Sequence, residues 1–260
     1  MMLKPICVDL DDFPAELHSL LSGASLFDSS CSEQARVIYI EKDNGYFLKR
    51  SQKGSLKREA TMTRYFHKKG LGANMLAYIS DEYDWMLSEK VQGDDCVASK
   101  YLDNPKRLCY TIGERLAVLH SMDFTDCPIQ NHTELFLASA KENMQKGMFD
   151  KRKAEHWGYK SPDEAWSVVE SNSHLLKANT LLHGDYCLPN IILNDWQFSG
   201  FIDLDNSGVG ERHIDLYWGS WTLLFNFKTD KYRDRFFDAY GRDMIDEELL
   251  RIIAAFEAFG

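Results

Sequence analysis

The stretch LLHGDYCLPNIILNDWQFSGFIDLD, residues 181 to 205, sets the tightest limit on the fold. Leu181 and Leu182 lead straight into His183, Gly184 and Asp185, Asn190 follows, and a second apolar run, Phe201-Ile202, ends at Asp203. Strands this short cannot build a large sheet. They can deliver polar side chains from their ends to a cleft, so the chain around them must supply the bulk of the core by other means.

That supply is helical. NPKRLCYTIGERLAVLHSM places Pro105 near a first helical position and Leu108, Ile112, Leu116 and Leu119 on one face. Residues 131–178 read as helices with breaks, SPDE at 161–164 is a capping box, and Tyr217–Phe227 is an aromatic-rich helix suited to a core. The first third of the chain differs. In ARVIYIEKDNGYFLKRS two β-rich runs flank Asn44-Gly45, a strong hairpin signal. GSLKREATMTRYFHKKG carries Leu56, Met62, Tyr65 and Phe66 on a helical stripe and stops at Gly70, and NMLAYIS and DWMLSE read as two more strands. The polar segment after them marks a boundary near Lys90 to Asp94.

The expected fold class is therefore α+β, a two-lobed arrangement in the order of a protein kinase. Residues 1–90 form a small antiparallel sheet lobe with one helix, and residues 91–260 form a larger, mainly helical lobe with a helical insertion near 128–178. A chain of 260 residues with 44% hydrophobic residues is long enough to bury such a core.

Thirty basic against 40 acidic residues give a net charge of −10, with both signs mixed along the chain. Nucleic acid is excluded as an expected partner, because phosphate neutralisation needs a basic face. A cationic small molecule suits the acidic balance. The six cysteines form no C-x-x-C pair, the N-terminus meets acidic residues before a signal-length apolar run, and LYWGSWTLLFNF is too short to cross a bilayer. The expectation is a soluble cytoplasmic protein without a membrane partner.

The polar residues fit phosphoryl transfer from ATP, which needs a carboxylate near an acceptor hydroxyl, oxygen ligands for magnesium and a cation on the phosphates. Asp185 supplies the first, and Asn190 and Asp203 supply hard oxygens for Mg2+. Lys49 in YFLKR supplies the cation, and Glu59, ten residues on, is its candidate partner. Alone, a strand lysine is a common solvated edge residue and a helix glutamate a common surface charge. Their order ahead of Asp185, Asn190 and Asp203 gives both a role.

LLHGDYCLPNIIL, FSGFIDLDNSGVGERHIDLYWG and LHSMDFTDCP resemble the corresponding segments of aminoglycoside O-phosphotransferases, most closely the aminoglycoside 3'-phosphotransferase group. The resemblance runs from about Arg36 to Gly260. It implies a protein-kinase-like fold, with Asp185 as the catalytic aspartate, Asn190 and Asp203 as magnesium ligands, and Lys49, braced by Glu59, on the phosphates of ATP or GTP. It further implies that Phe47 stacks on adenine, that backbone near Ser88, Glu89 and Lys90 meets the adenine edge, and that the loop from Ser30 to Glu33, with Ser32, covers the phosphates. His183 would brace the catalytic loop and Asp215 would bind loop amides.

For an aminoglycoside acceptor, the same resemblance implies carboxylates from the insertion and the C-terminal end. Glu155 and Glu257 lie where such residues would, with Asn206, Phe259 and Gly260 completing a pocket wall, and a solvated helix position is the competing reading for either glutamate. Two departures bear on the acceptor: Asp205 and Asn206 follow Asp203-Leu204 where a small and then often a basic residue is usual, and Gly158 stands where a second acidic contact is expected. An extra carboxylate at 205 either joins the metal or turns away into a hydrogen bond. Another small hydroxyl compound, such as an amino alcohol, sugar or macrolide, is the alternative acceptor, and a nucleotide-binding protein without catalysis is a third reading. The missing H-R-D, D-F-G and A-P-E motifs argue against a protein kinase.

Overall fold

The computed structural model describes residues 4–31 and 34–260, which fold into two compact units. The first runs to Gly93 and takes in Ser199–Asp205; the second comprises Asp94–Phe198 and Asn206–Gly260. A boundary at Gly93 lies within the polar segment expected to divide the chain, whereas the grouping of 199–205 with the first unit has no counterpart in a contiguous division.

The first unit is built on a six-stranded sheet: β1 (Lys4–Ile6), β2 (Ser25–Asp28), β3 (Arg36–Glu41), β4 (Tyr46–Gln52), β5 (Met75–Ser80) and β6 (Tyr83–Glu89), in the order β1-β2-β3-β4-β6-β5 and antiparallel throughout. The short helix α1 (His18–Leu21) precedes β2. Two strands more than expected are present, because β1 and β2 are three and four residues long and show no alternation that a sequence reading could use. The β3–β4 turn forms at Asn44-Gly45, with Gly45 at φ +91°. One sheet face buries Ile38, Ile40, Leu48, Trp85 and Leu87 with Leu26, Phe13, Leu17 and Leu21.

The helix α2 (Lys57–Lys68) buries the expected stripe, Met62, Tyr65 and Phe66, together with Glu59. Its start is fixed by the fully buried Asp84, whose Oδ2 accepts the Leu56 N–H at 2.9 Å and the Tyr78 hydroxyl at 2.9 Å. Its end is the left-handed Gly70, φ +71°.

The second unit is mainly helical. It contains α3 (Ser99–Leu102), α4 (Pro105–His120), α5 (His132–Gln145), α6 (Lys151–His156), α7 (Pro162–Asn172), α8 (His213–Phe227), α9 (Arg233–Tyr240) and α10 (Glu247–Glu257). Leu108, Ile112, Leu116 and Leu119 of α4 are completely buried, as their spacing predicts, and α4 packs chiefly on α9. At the start of α7, Ser161 Oγ accepts the Glu164 N–H at 3.2 Å. The remaining strands are short: β7 (Asp94–Asp95), β8 (Thr180–Leu182), β9 (Ile191–Asn194), β10 (Gln197–Phe201), whose last three residues belong to the first unit, and β11 (Gly208–Gly210). β8 and β11 form a two-stranded antiparallel ribbon. The loop after β8 carries the HGD residues. Among the described residues no helix is long and apolar enough to cross a membrane.

Candidate active site

In the first unit, β4 alternates so that Phe47 and Lys49 share a face. Lys49 Nζ donates to Glu59 Oε2 at 2.7 Å and to Asp203 Oδ1 at 3.0 Å. Burial alone would push this ammonium down, but the Glu59 and Asp203 carboxylates outweigh it and raise its pKa. Glu59, on the buried face of α2, is pushed up to about 7 by burial, against the pull of Lys49 and with Asp203 adding to the rise. Asp203, at φ +58°, keeps a side chain that is half exposed. A surplus of carboxylate around one ammonium is an arrangement that a further cation relieves.

Asp205 turns away into a hydrogen bond. Its half-buried carboxylate accepts the Glu59 N–H and lies beside the Arg58 guanidinium, while burial raises its pKa. The Glu59 N–H is one of the donors that the first turn of a helix leaves without an intrahelical partner, and Leu56, at the cap position, has no side chain to offer it. Asp205→Ala is therefore expected to lower stability by about 1 kcal/mol, the usual worth of a helix-end carboxylate. Urea denaturation would show it, and an unchanged midpoint would contradict this capping role.

In the second unit the HGD loop is held from several sides. Asp215, at the start of α8 and fully buried, accepts the His183 N–H at 2.8 Å and the Gly184 N–H at 2.7 Å. Its Oδ2 also faces His120 Nε2 at 3.1 Å, and His120 Nδ1 faces the Tyr240 hydroxyl at 2.9 Å. Burial pushes His120 down in spite of Asp215, so the ring is neutral at neutral pH. A carboxylate can only accept, so Nε2 carries the proton and Nδ1 accepts from Tyr240. Burial would raise Asp215, but His120, His183 and the loop amides hold it below the usual carboxylate range.

Gly184 is required twice over. It sits at φ +84°, and a Cβ there would lie 1.8 Å from the Asn206 carbonyl oxygen. Next to it, Asp185 is half-buried, and its Oδ2 accepts from Asn190 Nδ2 at 2.9 Å. The same Nδ2 bonds the Asp185 carbonyl at 3.0 Å, so both amide protons of Asn190 are used and its Oδ1 is left as an acceptor. Farther along, Leu188 N–H donates to Thr222 Oγ1 and the Tyr186 hydroxyl to Ile112 O. Cys187 is an inert thiol: burial, then Asp185 beside it, push it well above its ordinary range.

The model of the phosphotransferase enzyme family matches residues 31–252 of this arrangement. The chain belongs to this family. A probable aminoglycoside 3'-phosphotransferase of Lactococcus lactis is 48% identical over 259 residues, 99% of each chain. An aminoglycoside 3'-phosphotransferase of Niallia circulans is 28% identical over 176 residues, 68% of this chain and 67% of the relative. Among solved structures, an aminoglycoside 3'-phosphotransferase of type VIII superposes with a TM-score of 0.77 at 20% identity, covering 96% of this chain and 99% of its own. An aminoglycoside phosphotransferase from Streptomyces rimosus does so with 0.78 at 19%, covering 97% and 99%. The fold of this phosphotransferase is thus the α+β, protein-kinase-like fold expected from its sequence.

The remaining expected site residues of this family member are placed as follows. Phe47 lies opposite Ser88 in the sheet and 5.2 Å, ring to ring, from Tyr39. The amides of Glu89 and Lys90 are already bound, to Asn74 O and Gly45 O, and the Lys90 carbonyl accepts from Gln92 Nε2 at 3.2 Å. Ser32 lies outside the described residues. Asn206 is exposed, Phe259 is buried against Phe149 and Trp166, and Gly158 is an exposed left-handed residue. Glu155 and Glu257 differ in exposure: Glu155 is exposed, 3.4 Å from Lys151, whereas the Glu257 side chain is only 4% exposed. The sequence reading did not find Lys153, Arg58, or the His120–Tyr240 pair, whose only signal was a histidine at the end of an apolar helical stripe.

Proposed function

We propose that this phosphotransferase moves the γ-phosphoryl group of ATP to a hydroxyl group of an aminoglycoside. The observation that carries the phosphotransfer part is the Asp185 carboxylate, fixed through one oxygen by Asn190 on a loop that buried Asp215 anchors. A carboxylate held this way orients an incoming hydroxyl and accepts its proton late, which a loose phosphoryl-transfer transition state tolerates. The 48% identity to a probable aminoglycoside 3'-phosphotransferase supports the acceptor class.

One amide oxygen and one carboxylate suit magnesium, which keeps waters and takes most other ligands from nucleotide phosphates. Asn190 Oδ1 and the Asp203 carboxylate are the hard oxygens assigned to it. When bound, magnesium neutralises phosphate charge. Lys49, held by Glu59, is assigned to the phosphates, with Phe47, Ser88, Glu89 and Lys90 assigned to the base and Ser32 to the loop over the phosphates. A need for ATP supports a cytoplasmic site for the reaction.

Glu257, one of the two carboxylates expected to meet a polycation, is already paired inside the protein with Lys153. That observation favours the second reading, another small hydroxyl acceptor such as an amino alcohol, sugar or macrolide. ADP release with ATP or GTP and magnesium, measured over kanamycin-, neomycin- and streptomycin-type compounds, choline and simple sugars, separates the two. Turnover dependent on an aminoglycoside and on Asp185 is expected. Turnover with a non-aminoglycoside alone would transfer the proposal to the second reading, and none with any acceptor would sink both.

A further inference from the structure

Lys153 is a buried cation that the phosphotransfer chemistry does not use. It shares α6 with Glu155, but the two side chains differ: that of Glu155 is 58% exposed and that of Lys153 is 11% exposed. Lys153 Nζ donates to the carbonyl oxygen of Gly260 at 2.9 Å, lies 3.7 Å from Glu257 Oε2 and sits 4.7 Å from the centre of the Trp218 ring. Trp218 Nε1–H donates to the other Glu257 oxygen at 2.9 Å. A carboxylate, a carbonyl and an indole face converging on one point form a receptor for an alkylammonium ion. The chain fills that receptor itself.

The receptor shares a helix with the anchor of the Asp185 loop: Trp218, bonded to Glu257, lies on α8 one turn before Thr222, whose Oγ1 accepts the Leu188 N–H at 3.2 Å. Burial is the main cause that pushes Glu257 up to about 7, Lys153 and Trp218 oppose it, and Asp185 adds to the rise. Burying an ammonium here is tolerable only because it is paired; removing it leaves the Glu257 carboxyl to hold a proton instead, with a vacancy of ammonium size beside it that an incoming ammonium would fill as that proton leaves.

We propose that Lys153 is a specificity-determining residue, an ammonium supplied by the protein that occupies Glu257 and the Gly260 carbonyl and so keeps the ammonium of a more highly aminated acceptor out of that position. It acts through Glu257 and the Phe259–Gly260 segment rather than on the reacting atoms. The inference rests on the aminoglycoside reading of the acceptor. Its consequence is a preference that can be moved: without Lys153, an acceptor bearing an ammonium at the right position supplies the missing charge, and one bearing a hydroxyl there does not.

The test compares the full-length protein with Lys153→Ala, using two aminoglycosides that differ only by an ammonium or a hydroxyl on one ring. In the variant, the ratio of kcat/KM values is expected to shift about tenfold toward the ammonium-bearing acceptor, the scale of one charge-assisted contact. The change should sit in the acceptor KM, with the KM for ATP unchanged. Ethylammonium chloride should restore the hydroxyl-bearing acceptor several-fold where equal sodium chloride does not. An unchanged ratio with no amine rescue would reduce Lys153 to a packing residue and overturn the proposal.

Should the wild-type protein phosphorylate no aminoglycoside, the acceptor reading fails separately, and the receptor is then judged by melting of Lys153→Ala. A rise in Tm with ethylammonium but not with sodium or tetramethylammonium supports it, and equal melting in all three overturns it. If the alanine variant does not fold, Lys153→Met, which fills the volume without the charge, takes its place in both measurements.

Discussion

Replacing Asp185 with alanine is expected to lower kcat by about 10³-fold, within the usual worth of a positioned acid-base group, while nucleotide binding and fold persist. The loop does not depend on this side chain for its shape. Asn190 Nδ2 still holds the backbone carbonyl of residue 185, Cys187 N–H still donates to that carbonyl, and Asp215 still binds the His183 and Gly184 amides. The groups assigned to phosphates and base lie in the first unit, with Lys49 tied to Glu59 and Asp203 there. Single-turnover kinetics and a separate titration with ATP and magnesium give the two quantities. A variant that melts like wild type yet loses nucleotide affinity as steeply as it loses rate would contradict the roles assigned.

Asp215→Ala is the second large effect, and it acts on stability. Asp215 is fully buried, and its loss removes the acceptor of the His183 and Gly184 amides and of His120 Nε2 together. Each buried donor left without an acceptor costs about 1–3 kcal/mol, so losing the partner of three such donors at once should cost about 3 kcal/mol or more. Equilibrium unfolding in urea measures the loss. Activity per folded molecule should also fall, since the amides that shape the Asp185 loop lose their anchor. Asp215→Asn should recover only part of this, because one side-chain oxygen cannot serve all three donors. An alanine variant as stable as wild type would mean that His120 and the loop amides find other partners, against the geometry described.

Much of the fold was legible in the sequence, for physical reasons. α4 announces itself through Leu108, Ile112, Leu116 and Leu119, because one buried stripe on a sixteen-residue helix leaves a clear period. The β3–β4 hairpin is visible in Asn44-Gly45, since a tight turn needs residues that accept a left-handed backbone. β1 and β2 were not visible, being too short to carry a pattern. The association of 199–205 with the first unit is tertiary and leaves no local mark.

The candidate site divides in the same way. Asp185 and Asn190 sit in one local motif, and Lys49 and Glu59 lie ten residues apart in a strand-to-helix passage, so order alone proposed them. The direction of the side chains on α6 was beyond such reading. On a helix of only six residues no period separates an inward Lys153 from an outward Glu155. The fate of Asp205 was equally open, because only the folded chain brings it to the Arg58 guanidinium and the Glu59 amide.

The anchoring of His183 and Gly184 on Asp215 also bears on motion. An amide bonded to a fully buried carboxylate exchanges its hydrogen with water only when the structure around that carboxylate opens. Asp215 is held between α8, which carries it, and His120 of α4, so exposing it means parting two buried elements of the core. The His183 and Gly184 amides should be among the slowest in the protein to exchange, and the carboxylate of Asp185 that follows them is carried on a backbone held in place.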